Sequence, residues 1–124
     1  MSPVRILIIE DEPAIADNLA ALLTAKGHKV STCYEGADGV TRARKETFDL
    51  LLLDVMLPRM SGFDVCKLLR ADPKTMKLKI IMVTGLGRMG DVEEAFRAGA
   101  NDYLIKPFDS ARLFNKIEKV LATP

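Results

Sequence analysis

Reactive side chains follow the ends of several apolar segments along this chain. Glu10 and Asp11 come after the first segment, Asp54 after a later one, and Lys106 after the last. Thr84 adds a hydroxyl at the end of a fourth segment. Ligands of an open parallel sheet sit beyond the carboxyl ends of its strands, so we expect these separated residues to converge.

The residue types at these positions favour phosphoryl chemistry. One acidic residue after a strand is more often a helix cap or a solvated loop residue than a ligand. Several carboxylates brought close together repel one another, however, and must bind protons or share a cation. Mg²⁺ accepts such oxygen ligands together with water and phosphate oxygens. A carboxylate nucleophile, a metal, the ammonium of Lys106 and the hydroxyl of Thr84 could together place and neutralise a phosphoryl group.

The segments that carry these residues alternate between strand-like and helix-like patterns. Five such alternations fill the chain and predict an α/β fold with a parallel sheet. Segments that are almost wholly apolar are predicted as central strands, and mixed segments as edge strands. The predicted central strands are Val4–Ile9, Leu50–Leu53 and Ile80–Val83, and the predicted edges are Lys29–Cys33 and Asp102–Ile105.

Local residues predict where several helices begin and end. Pro13 suits the first position of the first helix, and Gly27 suits its C-terminal cap. Ser61, with Asp64 three residues later, resembles a capping box that opens the third helix. Gly99 is predicted to close the fourth.

Size and charge limit the classes of function. The 124 residues predict one domain over 1–124, and the net charge of +1 gives no overall field for nucleic acid or an anionic membrane. We therefore expect no direct binding to either. Cys33 and Cys66 have no spacing typical of a metal site, and no apolar segment approaches the ~20 residues of a membrane span. We expect reduced thiols, a cytoplasmic protein, and no room for an output domain before Pro124.

The motifs around these residues resemble those of the CheY-like response-regulator receiver domains of two-component signalling. The resemblance covers the whole chain, and its motifs are jointly highly specific. They are Ile8-Ile9-Glu10-Asp11, Leu53-Asp54-Val55-Met56-Leu57-Pro58, Ser61-Gly62, Val83-Thr84, Ala98-Gly99-Ala100 and Tyr103-Leu104-Ile105-Lys106-Pro107-Phe108. The resemblance implies a doubly wound, flavodoxin/CheY-like fold with five helices and strand order 2-1-3-4-5.

The resemblance also implies the roles of individual residues. Asp54 resembles the phosphoacceptor and a metal ligand, and Asp11 resembles a direct ligand of Mg²⁺. Glu10 often acts on the metal through water in this family, and the backbone carbonyl of Met56 would be a further ligand.

Other family positions imply a switch. Thr84 and Lys106 resemble the residues that grip the phosphoryl group, and Tyr103 resembles the aromatic residue that moves inward with Thr84. The bond between Lys106 and Pro107 is usually cis in the family. Phosphorylation is then expected to alter partner binding at the face made by the fourth helix, the fifth strand and the fifth helix.

The implied partners are a sensor histidine kinase or a histidine phosphotransfer protein, which donates the phosphoryl group, and a downstream effector or fused output domain. The protein would catalyse only its own phosphorylation and dephosphorylation, so it is not expected to be an enzyme in the usual sense. A phosphorylation-dependent homodimer could also pair charges on the last two helices. Those charges are Arg112, Lys116 and Lys119 against Asp91, Glu93 and Glu94.

Two residues beside the site, a glycine-rich segment and the single histidine lead to three further predictions. Met56 and Leu86 flank the site at positions that influence hydrolysis in the family, and because both are apolar, we expect slow dephosphorylation. The segment 85–90 matches G-x-G-x-x-G, but no acidic ribose partner follows it, which favours a switch loop over a dinucleotide site. His28, the sole histidine, is expected in a surface turn.

Two alternatives to a phosphorylated receiver remain at this point. One is a small flavodoxin-like enzyme or nucleotide binder that uses the same crevice at the carboxyl ends of the strands. The other is a scaffold that keeps the fold without the phosphorylation. The joint presence of Asp54, Asp11, Thr84 and Lys106 argues against the scaffold.

Overall fold

Strands and helices alternate throughout the computed structural model, which describes residues 2–85, 88 and 90–124. Each predicted strand and helix is present. The strands are β1 (Arg5–Ile9), β2 (Lys29–Cys33), β3 (Leu50–Asp54), β4 (Lys79–Gly85) and β5 (Asp102–Lys106). The helices are α1 (Pro13–Ala25), α2 (Gly36–Lys45), α3 (Gly62–Ala71), α4 (Asp91–Ala98) and α5 (Ser110–Ala122).

The five strands form one parallel sheet in the order β2-β1-β3-β4-β5, which confirms the predicted fold and both predicted edge strands. The predicted carboxyl ends of β1 and β2 are confirmed, whereas those of β3, β4 and β5 were too short. Asp54 pairs with Val83, and Lys106 pairs with Gly85, so these polar residues are the last members of their strands rather than the first residues of loops. Backbone pairing continues past the apolar pattern because it requires no particular side chain.

Two apolar layers cover the sheet, one on each face. The first lies beneath α2, α3 and α4, and the second beneath α1 and α5. The β3 residues from Leu50 to Leu53 alternate between the two layers and are at most 1% exposed. Burial on both faces explains why the central strands have no polar alternation. No helix in the described part of the chain is long and apolar enough to cross a membrane.

The structure confirms the predicted ends of α1, α3 and α4. Pro13 begins α1, and Gly27 follows its end with a φ of 95°. Ser61 caps α3, and its hydroxyl accepts a hydrogen bond from the backbone N–H of Asp64 at 3.2 Å. Gly99 ends α4 in the left-handed conformation. Together these residues fix where α1, α3 and α4 begin or end, and therefore where the adjoining loops stop or start.

His28 does not lie on the surface, and the predicted exposed position was wrong. The side chain is only 3% exposed, and its Nδ1 accepts a hydrogen bond from the backbone N–H of Val4 at 3.1 Å. This bond ties the start of β2 to the segment before β1. Burial and the nearby positive N-terminus both lower the pKa of His28, because each disfavours the imidazolium.

His28 should therefore make the fold sensitive to mild acid. The unfolded chain takes up a proton at a pKa of about 6.5, whereas the folded chain resists it, so stability should fall as the pH drops from 7 to 5. In His28→Asn, the amide oxygen can replace Nδ1 without titrating. We expect wild type to lose stability relative to this variant over that range, measured by urea unfolding. Parallel stability curves for the two proteins would contradict this role.

Candidate functional site

The sheet places Glu10, Asp54 and Lys106 at the carboxyl ends of its strands and on one of its two faces. Glu10 follows the last residue of β1, whereas Asp54 and Lys106 are the last residues of β3 and β5. The residue two positions before each of them packs beneath α1 and α5. Since strand side chains alternate between faces, all three are directed to that same side of the sheet. The periodicity of the strands thus assembles a site from residues far apart in sequence.

Three carboxylates converge at this edge, as expected from the sequence. One oxygen from each of Glu10, Asp11 and Asp54 can be chosen so that all three lie within 4.8 Å of one another. Glu10 is 3% exposed and Asp54 is 6% exposed, while Asp11 is half-buried. Oxygen ligands at this spacing fit a hard divalent cation such as Mg²⁺.

Lys106 already supplies one positive charge to the cluster. Its Nζ donates to Glu10 Oε1 at 2.8 Å and lies 3.5 Å from Asp54 Oδ2. Glu10 Oε2 also accepts from the backbone N–H of Glu12 at 3.1 Å. Glu10 therefore makes shorter hydrogen bonds than Asp54, whose two contacts, with Lys106 and with the backbone N–H of Met56, are both 3.3 Å or longer.

The pKa values reflect the burial of each carboxylate and its contact with Lys106, which is closer to Glu10 than to Asp54. Burial is the main cause that raises the pKa of Asp54 to about 6, and the charge of Glu10 adds to it despite the opposing effect of Lys106. Burial acts in the same direction on Glu10, but the Lys106 and Glu12 hydrogen bonds outweigh it and lower the pKa. For Asp11, burial and Glu10 raise the pKa. Although burial opposes it, contact with Glu10 and Asp54 raises the pKa of Lys106, which stays charged.

The remaining predicted residues lie around this cluster. Thr84 is 1% exposed and follows Val83, the strand partner of Asp54. The backbone N–H of Met56 donates to Asp54 Oδ1 at 3.3 Å, and the Met56 side chain is exposed. The peptide bond between Lys106 and Pro107 is cis, as expected.

Tyr103 lies apart from the carboxylates, on β5 facing α4 and α5. Its ring packs edge-on against Phe96 with the ring centroids 6.0 Å apart, and Lys116 Nζ is 4.4 Å from its centroid. Leu86, which was expected to influence hydrolysis, lies outside the described residues, as do Gly87 and Met89 of the glycine-rich segment.

Gly62 has a structural role that its motif alone did not explain. A Cβ atom at this position would lie 2.2 Å from the carbonyl oxygen of Asp54 and 2.9 Å from Val55 Cα. The Gly62 N–H instead donates to the carbonyl oxygen of Val55 at 2.9 Å. The start of α3 therefore packs directly on the backbone of the central acidic residue, which only glycine allows.

Comparison with known proteins agrees with this geometry. The family model of the response regulator receiver domain matches residues 6–118. The chain belongs to this family. It is 40% identical over 117 residues to the DNA-binding dual master transcriptional regulator RpaA of Synechocystis, covering 94% of this chain and 48% of RpaA. The chain thus spans about half the length of that relative.

Two further chains are similar to this one over nearly their full length. Protein PilH of Pseudomonas aeruginosa is 39% identical over 118 residues, covering 95% of this chain and 98% of PilH. The receiver domain of the sensor histidine kinase PA1611 from the same species superposes with a TM-score of 0.90 at 30% identity. That match covers 98% of this chain and all of the PA1611 domain, whose structure has a magnesium ion in the active-site cleft.

The raised pKa of Asp54 predicts that its ionised carboxylate lowers the free energy of unfolding. A neutral residue at this position should restore it. Between pH 4 and 6 the folded protein holds a proton that the unfolded chain releases, so Asp54 lowers the stability as the pH rises. We expect Asp54→Asn to raise the free energy of unfolding at pH 7 by on the order of 2 kcal/mol without metal. The gain should vanish below about pH 4. Urea unfolding measures both values.

The exposed Asp17 on α1 provides the matched control, since Asp17→Asn removes the same charge from a solvated surface. This substitution should change stability little at either pH. An Asp54→Asn protein that is no more stable than wild type at pH 7 would contradict the predicted pKa.

Proposed function

We propose that this receiver domain accepts a phosphoryl group on Asp54 and thereby controls its binding to a partner protein. The observation that carries the proposal is the buried cluster of Glu10, Asp11 and Asp54 with Lys106 in contact. The donor would be a phosphohistidine on a sensor histidine kinase or a histidine phosphotransfer protein. The recipient of the signal would be a downstream effector or a fused output domain.

Each residue has a defined part in the proposed transfer. At pH 7 Asp54 is mostly ionised, because its pKa is about 6, and its oxygen can attack the phosphorus atom. The P–O bond forms as the P–N bond breaks, and the electron pair stays on the departing imidazole. Lys106 would neutralise charge on the phosphoryl oxygens, and Thr84 would donate its hydroxyl to one of them.

Asp11, Asp54 and the backbone carbonyl of Met56 would hold Mg²⁺, with Glu10 acting through water. When bound, the ion would supply further positive charge to the phosphoryl oxygens. The donor set fits this ion, since it consists of oxygens at the mouth of a partly buried cluster. The magnesium-bound PA1611 domain supports the same assignment.

The proposed output acts through Tyr103 and the face formed by α4, β5 and α5. Phe96 and Lys116 hold the Tyr103 ring, and Lys116 also pairs with Asp102 at 2.9 Å. Movement of Thr84 toward a phosphoryl group would free space for the ring to turn inward. Lys116 is already paired within the chain, so Arg112 and Lys119 are better placed than Lys116 to contact a second copy in a phosphorylation-dependent dimer.

A small phosphodonor tests the acceptor directly. With acetyl phosphate and Mg²⁺, we expect the intact protein to gain the mass of one phosphoryl group, and Asp54→Ala to gain none. Chelating the metal should slow the reaction strongly. Asp17→Ala, which removes an exposed acid on α1, should be modified like wild type. Unchanged labelling of Asp54→Ala would exclude this residue as the acceptor.

The side chain of Met56 predicts a long-lived phosphoryl group. It is 56% exposed beside the site and carries no group that could orient an attacking water. We expect a lifetime well beyond seconds, and Met56→Asn should shorten it severalfold because its amide can hydrogen-bond water. Loss of phosphoprotein after removal of the donor measures both rates. A wild-type half-life of seconds would contradict the prediction.

A further inference from the structure

A second concave surface lies at the edge of the sheet opposite Asp54. It is a groove of about 1060 Å³ among the amino ends of β1, β3 and β4 and the carboxyl ends of α2 and α5. The segment 74–79, which connects α3 to β4 and includes the first residue of β4, forms one wall. None of the three carboxylates of Glu10, Asp11 and Asp54, which we call the phosphoacceptor cluster, lines the groove. Its function must therefore be argued from its own residues.

The floor of the groove is apolar. Phe48 and Ala43 are buried there, and Val4, Leu78 and Leu121 are half-buried side chains that line the same space. Such a floor can accept apolar side chains from a second molecule, since burying them against it removes apolar surface from water.

The wall beside this floor is basic. Five cationic residues line the groove against three acidic ones, Glu46, Asp49 and Glu118. Glu46 is already paired with Arg5 and Arg42, and Arg44 with Asp72, and none of these three partners lines the groove. Four cations and two acids then remain. The groove therefore has an excess of positive charge although the whole chain is almost neutral.

Three of the cations are available to a partner. Lys45, Lys74 and Lys77 are exposed, and no carboxylate in the described part of the chain pairs with them. Lys45 ends α2, where it also offsets the negative end of the helix dipole. Lys74 and Lys77 lie beyond the end of α3, so helix stabilisation does not explain their charge.

The arrangement fits an extended acidic segment better than a small ligand. A small-molecule site needs buried polar groups that converge on the ligand. The buried hydroxyl of Thr75 in the groove wall instead donates to the carbonyl oxygen of Leu69 at 2.7 Å. The flexible lysines are spread along the open apolar floor, and each offers one positive charge. Carboxylates spaced along an extended peptide could each contact one of them.

We propose that this groove, which we call the amino-edge groove, binds an acidic segment of a partner protein that also carries apolar side chains. The apolar residues of that segment pack on the half-buried Leu78 and Leu121, and its carboxylates lie along Lys45, Lys74 and Lys77. The interaction does not rest on phosphorylation, because the groove is at the opposite edge of the sheet from Asp54.

A synthetic peptide of alternating Glu and Leu tests the groove on the full chain. In ¹H–¹⁵N NMR titrations we expect shifts in the segments 43–49 and 74–79, with affinity that weakens as salt is added. The triple variant Lys45→Glu, Lys74→Glu, Lys77→Glu should reduce affinity at least tenfold. The matched control replaces three exposed lysines that do not line the groove, Lys26, Lys29 and Lys67, with Glu and should bind like wild type.

Three more titrations distinguish an acidic peptide from a basic peptide, from DNA and from a ligand of the phosphoacceptor cluster. A peptide of alternating Lys and Leu should not bind, and a short DNA duplex should not shift the same segments. Binding should persist in Asp54→Ala, so failure of the proposed phosphorylation leaves the groove testable. The inference is overturned if the acidic peptide shifts only residues near Asp54, if both triple variants lose affinity equally, or if DNA occupies the groove instead.

Discussion

Repulsion among carboxylates at the carboxyl edge of the sheet is the constraint on which the site depends. Glu10, Asp11 and Asp54 lie close enough to share one cation, in surroundings that exclude much of the water that would screen them. Lys106 relieves part of this repulsion through its contacts with Glu10 and Asp54. Because one ammonium cannot neutralise three carboxylates, the cluster retains a negative charge that favours a divalent ion.

The fold makes this costly arrangement possible. The apolar interior of β3 is buried on both faces and holds Asp54 at its end, while Gly62 lets α3 pack directly on the same backbone. The stability that the core provides compensates for repulsion at the edge. In the proposed function, this rigid backbone and the residual negative charge would let the site respond when phosphorylation changes the charge at Asp54.

Much of this organisation could be predicted from the sequence. Apolar periodicity indicated all five strands and their edges, and caps such as Ser61 marked helix ends, because these features depend on local residue patterns. The convergence of Glu10, Asp54 and Lys106 followed from parallel topology. The residue roles came from the family resemblance, and the comparisons establish the family without testing those roles.

Other features depend on contacts between distant residues and could not be predicted. The buried position of His28 depends on the backbone N–H of Val4, which lies 24 residues away in sequence. The preference of Lys106 for Glu10 over Asp54 depends on side-chain packing and has no sequence pattern. The amino-edge groove brings together segments from four parts of the chain, and no single segment indicates it.

Magnesium affinity of a Lys106→Met variant tests the central claim most directly. If Lys106 acts as an internal cation that competes for the carboxylates, its removal should tighten Mg²⁺ binding by on the order of tenfold. The titration is followed by NMR at pH 8, where Asp54 is ionised and protons compete little. An affinity that is unchanged or weaker in Lys106→Met would contradict the account.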